Sequence, residues 1–539
     1  MTNNKKTTYS LGIVLLAAVL GVLVGLMFGP KLTRDKADSF YDFSMSSPID
    51  QMMTLVEHTY VDSIDSDSLT TMAMRSLLSS LDPHSTFLPP KSFEEEREMM
   101  TGSFEGIGIN LLYLNDTVFI SNVHAGGPAH KAGVHAGDRI IYVDTTKVSG
   151  AGIASISGNV VSLIRGPRHS KVTLKVNRDG SNKLIPIKVS RDVIMHPSIP
   201  AAVMLNKQTG YIRISHFSET TANEFHSSLL QLLNEGMQHL VLDLRGNSGG
   251  VLESSIYVAN ELLPQGDLIV YTQGAHHRRK NVKATSGGLF ETGKLTVMID
   301  EYSASASEVV AGAIQDNDRG LIMGRRSFGK GLVQQQFELA NGGAMLLTIA
   351  RYYSPSGRCI QRPYDKGTDA YYTDYLNRLL NDYASADSLL SAPGDTTQVF
   401  YTKKGRKVYG GGGIQPDVFL SYLIDTHFVY WNRLMSKNVM EEVLFDELYH
   451  HYNDLKKRFP TVEAFEKGYK VSDASWQRVL TLGEKKGVPR NKASIAKYYS
   501  TMRNRYKALM AQSLFNDNAF YKVNLPFDHE LQKALQRSK

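Results

Sequence analysis

Length and composition already limit what this protein can be. The chain has 539 residues, 42% of them hydrophobic and 21% charged, which excludes a mostly disordered chain and a polytopic membrane protein. At about 150 residues per domain, this length predicts three or four folded units. The formal net charge of +7 is spread thinly, so nucleic acid is not a predicted partner. A single cysteine, Cys359, excludes an internal disulfide framework and a cysteine-rich zinc site.

An apolar run near the amino terminus predicts a membrane anchor. After a polar tail at 1–9, Leu11–Phe28 forms a run of 18 uncharged residues that ends at Gly29-Pro30. Eighteen helical residues span about 27 Å, which is enough for the apolar core of a bilayer. We therefore predict a transmembrane anchor at 10–29. A cleaved signal peptide is the alternative, although no small-x-small site precedes Lys31. Lysines lie on both sides of the run, so charge does not decide its orientation.

The rest of the chain divides by pattern into six further regions. Apolar residues at helical spacing predict two short helices within a helical region at 40–100. A glycine-punctuated β-rich module follows at 103–191. Alternating strands and helices then predict a layered α/β domain with a largely parallel sheet at 196–360. A polar, tyrosine-rich insertion is predicted at 361–404, before a strand at 405–422 that returns to this domain. An amphipathic helical extension is predicted at 423–539, which we call the C-terminal helical region.

The predicted elements of the α/β domain alternate regularly. The strands are Tyr211–Ile214, Leu240–Leu244 and Leu295–Ile299, and the helices are Glu219–Asn234, Leu252–Leu263 and Glu308–Gln315.

The module at 103–191 resembles a PDZ domain. Gly106, Ile107, Gly108 and Ile109 lead into a predicted strand, and a glycine-aspartate turn, a helix at 160–164 and a closing strand at 172–176 follow. A loop of small residues leaves backbone N–H groups free to hold a peptide carboxylate, and the strand after it offers an edge to the peptide. We call this segment the PDZ-like module. The alternative is a β-module without a ligand.

Two segments predict a catalytic centre of the α/β domain. The glycine-rich turn 243–250 follows a buried strand, and its backbone can aim N–H groups at a developing negative charge. The stretch Ser303-Ala304-Ser305-Ala306-Ser307-Glu308 lies between a strand and a helix, where a serine is exposed at the sheet edge. Any of the three serines could instead serve only as a helix cap.

A third segment supplies a candidate base. Phe328-Gly329-Lys330-Gly331 is followed by Gln334, four residues after the lysine. The stretch 324–330 imitates a phosphate-binding loop, but Gly331 occupies the position where that motif requires Ser or Thr. No histidine is placed for a catalytic triad, since His216, His226 and His239 are scattered. Lysine is therefore the natural general base for a serine.

Taken together, these motifs resemble those of the carboxy-terminal processing peptidases, the serine–lysine endopeptidases of family S41. The resemblance extends from about Leu81 to Leu420. It implies a crotonase/ClpP-like α/β protease core with an inserted PDZ domain, an amino-terminal transmembrane helix and helical extensions. It makes Ser305 the nucleophile, Lys330 the base and Gln334 the residue that orients the base. The backbone of Ala306 and either Gly249 or Gly250 would form the oxyanion hole, and residues 106–109 would bind peptide.

The resemblance also implies a function and a location. It predicts a membrane-anchored serine endopeptidase that cleaves proteins near their carboxy termini, with no metal or cofactor. Its partners would be proteins or peptides with free carboxy termini, which the PDZ-like module would bind or use to gate the site. The catalytic part would lie on the periplasmic side of a bacterial inner membrane, and a homo-oligomer stays open. The alternatives are an inactive membrane-anchored PDZ adaptor and a ligand-binding member of the same fold.

Overall fold

The computed structural model describes residues 47–114, 116–150, 157–178, 180–181, 183–384, 398–420 and 425–538. The predicted anchor at 10–29 lies outside these residues, and within them no helix is long and apolar enough to cross a membrane. The described residues divide into two compact units, with the boundary between residues 74 and 75. In the first unit, helix α1 (Pro48–Thr59) is capped by the Ser47 side chain, which accepts a hydrogen bond from Asp50 N. Helix α2 (Ser66–Ser79) follows and continues into the second unit.

A six-stranded sheet forms the centre of the α/β domain. Its order is β10-β11-β12-β15-β16-β21, and every pair is parallel except β10 with β11. The largely parallel sheet predicted for this domain is therefore confirmed. The strands are β10 (Ala201–Met204), β11 (Thr209–Arg213), β12 (His239–Asp243), β15 (Lys294–Ile299), β16 (Leu321–Gly324) and β21 (Val418–Phe419).

Helices and apolar side chains cover both faces of this sheet. One face contacts α6 (Thr221–Asn234), α7 (Leu252–Leu262) and α8 (Ala306–Asp316), whose apolar side chains join those of the strands in the main hydrophobic core. The opposite face packs against a smaller cluster that includes Leu531 and Ala534 of α16 (His529–Arg537). Burial on both faces explains why these strands are nearly continuous runs of Val, Leu, Ile and Met.

A second, five-stranded sheet borders the α/β core. Strand β18 (Ala344–Tyr353) is its centre and pairs antiparallel with β1 (Thr86–Leu88), β13 (Leu268–Gln273) and β17 (Leu332–Glu338), and β14 (Lys280–Lys283) extends it. The segment Pro90–Thr101 forms helix α3. The predicted insertion at 361–404 contains a helix, α9 (Thr368–Ala384), and strand β19 (Val399–Tyr401), which pairs with β20 (Lys407–Tyr409).

The PDZ-like module is an antiparallel sheet of order β3-β4-β5-β7-β8, with β3 at one edge and β6 paired to β5. The predicted strand at 172–176 exists as β7, but it does not close the sheet, because β8 follows and pairs with it. A separate ladder of β2 with β9 links the two ends of the module. The elements are β2 (Ser103–Gly106), β3 (Ile109–Leu114), β4 (Thr117–Val123), α4 (Pro128–Lys131), β5 (Arg139–Val143), β6 (Thr146–Lys147), α5 (Ser157–Ile164), β7 (Lys171–Asn177), β8 (Ile185–Ser190) and β9 (Asp192–Met195).

The predicted helical character of the C-terminal helical region is confirmed. The helices are α10 (Phe428–Ser436), α11 (Val439–Arg458), α12 (Val462–Gly468), α13 (Asp473–Lys485), α14 (Lys492–Leu514), α15 (Asp517–Asn524) and α16, with a short 3-10 turn at Leu525–Phe527. They enclose their own core around Trp431 and Trp476, and Phe119 of the PDZ-like module is part of it. Arg139 of that module also lies 3.7 Å from the ring centre of Tyr449 on α11.

Candidate active site

The topology brings the three predicted chemical segments to one edge of the central sheet. Strands β12, β15 and β16 are parallel neighbours, and one segment follows each of them. We call these the glycine turn (residues 244–251), the serine turn (residues 300–305) and the lysine segment (residues 325–331). Because the carboxyl ends of parallel strands share an edge, the three loops are neighbours. Two backbone hydrogen bonds join them: Ala304 N to Asn247 O at 3.0 Å, and Phe328 N to Ser303 O at 3.0 Å.

The structure separates the three serines of the serine motif. Ser303 is fully buried and donates its hydroxyl to Leu244 O at 2.8 Å, and Ser307 is fully buried and donates to Asn247 O at 2.9 Å. Ser305 is only partly buried and directly precedes α8. Its backbone is in a left-handed conformation, with φ 53° and ψ −113°, that side-chain-bearing residues rarely adopt. Such strain at a strand-to-helix turn is typical of a nucleophile held out of its sheet.

Two buried side chains join the segments that carry Ser305 and Lys330. The Glu308 carboxylate accepts the backbone N–H of Ser305 at 2.8 Å and that of Lys330 at 2.9 Å. It also accepts Gly329 N and the Ser327 hydroxyl. The Tyr352 hydroxyl lies 3.1 Å from the carbonyl oxygen of Ser305 and 2.6 Å from that of Lys330. The backbones of the candidate nucleophile and base therefore share both an acceptor and a donor.

The side chain of Lys330 is held by a chain of two hydrogen bonds. Lys330 Nζ donates to Gln334 Oε1 at 2.6 Å, and Gln334 Nε2 donates to the carbonyl oxygen of His84 at 2.5 Å. Because a carbonyl only accepts, it fixes the amide so that the oxygen of Gln334 faces the lysine. The turn that presents this carbonyl is itself closed by Asp82, whose Oδ1 accepts the N–H of His84 and of Ser85 at 2.8 Å each.

Burial dominates the electrostatics around Lys330. It lowers the pKa of Lys330 below its usual range, and the negative charges of Glu96, Asp82 and Glu308 oppose this. His84 lies in the same surroundings, where burial and the nearby lysine lower its pKa to about 3. His84 is therefore neutral at physiological pH, so it adds no second cation beside the lysine.

The two candidate oxyanion glycines differ in environment. Gly249 is buried, and its N–H donates to Asn247 Oδ1 at 2.9 Å. Gly250 is exposed and forms a parallel bridge with Phe217. In this bridge Phe217 N donates to Gly249 O, and Val251 N donates to Phe217 O. In a parallel bridge the central residue points its own N–H away from the partner. Within the described residues, neither Gly250 N nor Ala306 N has a hydrogen-bond partner.

The predicted peptide-binding loop lies at the edge of the PDZ-like module. The side chain of Ile107 is buried in the core of this module, with 1% of its surface exposed. Its carbonyl accepts Ala129 N at 2.9 Å, and the carbonyl of Gly108 accepts His124 N at 3.0 Å. Gly106 closes β2 and Ile109 opens the edge strand β3. Because the Ile107 side chain is buried and Gly108 has none, these two residues can offer a ligand only their backbone atoms.

For some residues of the candidate site, the sequence did not indicate which groups they contact. Glu308 stands in the serine motif, and its position three residues into the helix signals a capping role, but not its contact with the lysine segment. Tyr352 and His84 lie on strands and turns remote in sequence from the residues they hold. Among the described residues, no group of three or more His, Cys, Asp or Glu side chains is arranged to hold a metal ion.

Comparison with models of protein families finds three matches in this chain. Residues 208–368 match the model of peptidase family S41, and residues 119–178 match that of the PDZ domain. Residues 430–516 match a family of unknown function, DUF8443.

Named relatives point to the same class. The carboxy-terminal-processing protease of Bartonella bacilliformis is 36% identical over 314 residues, which cover 57% of this chain and 70% of that protein. The carboxy-terminal processing protease CtpA of Bacillus subtilis is 29% identical, over 74% of this chain and 84% of that protein. Among solved structures, the photosystem II D1 C-terminal processing protease is 27% identical, with a TM-score of 0.34 over 69% of this chain and 86% of that one.

The two family-model matches and the Bartonella relative define a serine peptidase with a PDZ domain. More specifically, the chain belongs to peptidase family S41 and is a serine-type carboxy-terminal processing peptidase.

Proposed function

We propose that Ser305 and Lys330 form the catalytic dyad of this peptidase. The observation that carries this proposal is the pair of shared contacts through Glu308 and Tyr352, which tie the two backbones together beside the glycine turn. Ser305 is the one serine of its motif that is not fully buried, which leaves its hydroxyl available to substrate.

In the proposed reaction, Ser305 Oγ attacks a peptide carbonyl carbon while neutral Lys330 takes the hydroxyl proton. The lysine then gives this proton to the leaving amine, and water hydrolyses the resulting acyl-enzyme. A lysine of pKa about 10.4 is protonated at neutral pH, and lowering this value to about 7–8 costs roughly 4 kcal/mol, which burial can impose. Burial of Lys330 acts in this direction. Gln334 orients the amine, because its Oε1 accepts a hydrogen bond from Lys330 Nζ.

The proposed oxyanion hole consists of the N–H groups of Ala306 and Gly250. Ala306 begins α8, so its N–H lacks an acceptor within the helix and lies where the helix dipole is positive. Of the two glycines, Gly250 is favoured, because the Asn247 side chain already takes the N–H of Gly249. Each such donor contributes on the order of 10²–10³ in rate.

The proposed role of the PDZ-like module is to bind the carboxy-terminal tail of a substrate. Its edge strand β3 offers unpaired backbone groups, and the loop Gly106–Ile109 precedes that strand. A catalytically inactive Ser305→Ala chain should bind a peptide with a free carboxylate more tightly than the same peptide with an amidated end. Equal binding of the two peptides would contradict carboxylate capture.

The proposed location is the periplasmic face of a bacterial inner membrane, with the predicted anchor at 10–29 holding the chain there. The uncharged run Leu11–Phe28 supports it, as does the family resemblance. Full-length protein should stay with membranes under alkaline extraction, and protease added to spheroplasts should digest it. Release of the intact chain into the alkaline supernatant would count against an anchor.

Cleavage of unfolded casein tests the dyad. Ser305→Ala and Lys330→Ala should each lower the rate by at least about 10³-fold, because loss of a nucleophile or its base removes most of the chemical step. Ser286→Ala and Lys207→Ala are matched controls at exposed positions and should cleave at the unmodified rate. Full activity in either dyad variant would end the proposal. Peptide binding without cleavage in the unmodified chain would favour the adaptor alternative.

A further inference from the structure

Arg245, the second residue of the glycine turn, has every N–H of its guanidinium in use. Its Nε and Nη2 donate to the two oxygens of buried Asp243, at 3.0 and 2.7 Å. The remaining donors go to the carboxy-terminal part of the chain: Nη2 donates to Asp528 Oδ2 at 2.7 Å, and Nη1 donates to Glu530 Oε2 at 2.8 Å and to Asp528 Oδ1 at 3.3 Å. Five N–H donors on a planar fork define both the position and the tilt of this side chain.

Glu530 bridges two loops of the candidate active site. While its Oε2 accepts from Arg245, its Oε1 accepts from Arg325, the first residue of the lysine segment. Arg325 in turn donates from Nε to Glu301 of the serine turn at 2.6 Å. One carboxylate, from the first turn of α16, thus connects all three loops, two directly and one through Arg325.

The contacts beside Arg245 continue into the serine turn. The residue after Arg245, Gly246, donates its N–H to Asp300 Oδ1 at 2.9 Å, and the same oxygen accepts Ser303 N at 3.1 Å. A shift of Arg245 would therefore move the glycine turn relative to the serine turn. The cluster is largely withdrawn from water: Arg245 and Arg325 are 12% and 7% exposed at their side chains. Salt and water screen such pairs less than surface ion pairs.

We propose that Glu530, assisted by Asp528, is a positioning residue for the peptidase reaction, which it serves by holding Arg245 and Arg325 so that the oxyanion donor and the lysine keep their places beside Ser305. This inference rests on the proposed dyad. Both carboxylates lie outside the segments that match peptidase family S41 and DUF8443. Through them, α16 would take part in catalysis without contacting the substrate.

The chemistry of an amide explains why a small change at this position should be informative. Glu530→Gln keeps the shape of the side chain but replaces one acceptor oxygen by an NH₂ group. Arg245 and Arg325 only donate, so one of the two bridges would become a contact between donors. The loop on that side loses its support, although Arg245 keeps its bonds to Asp243 and Asp528. A displacement of the order of 1 Å at a catalytic site costs about 10²-fold in rate.

The test is steady-state cleavage of fluorescein-labelled casein by the full chain. For Glu530→Gln we expect kcat to fall at least about tenfold, with KM changed less than about twofold, since substrate binding does not involve this cluster. Glu530→Asp keeps the charge and should retain an intermediate kcat. The control is Glu463→Gln, which removes a carboxylate from the exposed pair with Lys522 in the same helical region. It should leave kcat unchanged.

Three outcomes would overturn the inference. The first is an unchanged kcat in Glu530→Gln, and the second is a rise in KM alone. The third is a fall in activity that matches the loss of folded protein, as measured by circular dichroism at the assay temperature. Glu530→Asp provides the same comparison if Glu530→Gln does not fold. Activity of Ser305→Ala decides the dyad separately: a dead Ser305→Ala beside a fully active Glu530→Gln would refute only the positioning role.

Discussion

At the scale of single residues, the surroundings of Lys330 include more than its apolar neighbours in the chain. Phe328, Leu332 and Val333 are its apolar neighbours in the chain, but Phe328 lies in an aromatic group with His84 and Tyr375. Arg362 stacks on this group, 4.5 Å from the ring centre of Phe328. Phe328 beside Lys330 is therefore packed against residues that are remote in sequence.

This environment predicts the pH dependence of the reaction. The proposed base must be neutral, so kcat/KM should rise as the pH rises through the pKa of Lys330 and then level off, with that pKa below 10.5. Glu96 is the strongest of the charges that raise this pKa. Glu96→Gln should therefore lower the pKa of Lys330 further and move the rising limb to lower pH.

Glu95→Gln is the matched control for this measurement, because Glu95 is the exposed neighbour on the same helix. Its pH profile should coincide with that of the unmodified enzyme. A rising limb that Glu96→Gln leaves in place, or moves to higher pH, would contradict the assignment of Lys330 as the titrating base.

At the scale of elements, the strand-to-helix turn at 300–305 shows what three similar serines do. Ser303 and Ser307 fasten the turn to the glycine turn through buried hydrogen bonds, whereas Ser305 has a strained backbone and a partly exposed side chain. Strain of this kind persists only where the surrounding structure holds it. The two flanking serines are part of that support.

We therefore expect stability and activity to separate within this motif. Ser303→Ala should lower the free energy of unfolding by about 1–3 kcal/mol, because Asp300 N and Leu244 O would lose a buried partner. Ser305→Ala should lower it less than Ser303→Ala does, since Ser305 is not fully buried, while abolishing cleavage. Thermal unfolding of both variants measures this. A greater loss in Ser305→Ala than in Ser303→Ala would contradict the division of roles.

The sequence predicts the elements of the α/β domain closely, because each buried strand and helix repeats its apolar residues at a regular period. The predicted helix Leu252–Leu263 and the observed Leu252–Leu262 differ by one residue. The three chemical segments were also predictable, since each follows a strand and has a distinctive composition. The contacts of Glu308, Tyr352 and Glu530 were not, because they depend on tertiary distances that no local pattern encodes.

At the scale of the whole molecule, the C-terminal helical region contacts both the PDZ-like module and the loops of the candidate active site. Its α11 lies against the module so closely that a Cβ on Gly137 would be 3.0 Å from the carbonyl carbon of Leu448. Tyr449 on the same helix donates to Ser181 O at 3.0 Å, and α16 carries Glu530. The helical region thus fixes the proposed tail-binding module relative to the proposed dyad.

This close approach predicts how to loosen the module. Gly137→Ala places a methyl group against the backbone of α11 and should increase hydrogen exchange in Val439–Arg458, measured by mass spectrometry. Gly133→Ala is the control, because Gly133 has a similar φ (+82°, against +90° for Gly137) but open space around its Cβ position. Gly133→Ala therefore has a similar conformational cost at positive φ, but its methyl group does not collide with α11. Equal exchange in both variants would contradict a direct contact.

The distance along the chain between Arg325 and Glu530, which form an ion pair, has a consequence for biosynthesis. Arg325 and Glu530 are 205 residues apart. At about 5–20 residues per second, a ribosome makes the lysine segment roughly 10–40 s before it makes Asp528 and Glu530. On the account proposed above, a half-made chain has its hydroxyl and amine but holds them loosely. Its kcat should then be at least about tenfold lower than that of the finished chain, as expected for Glu530→Gln.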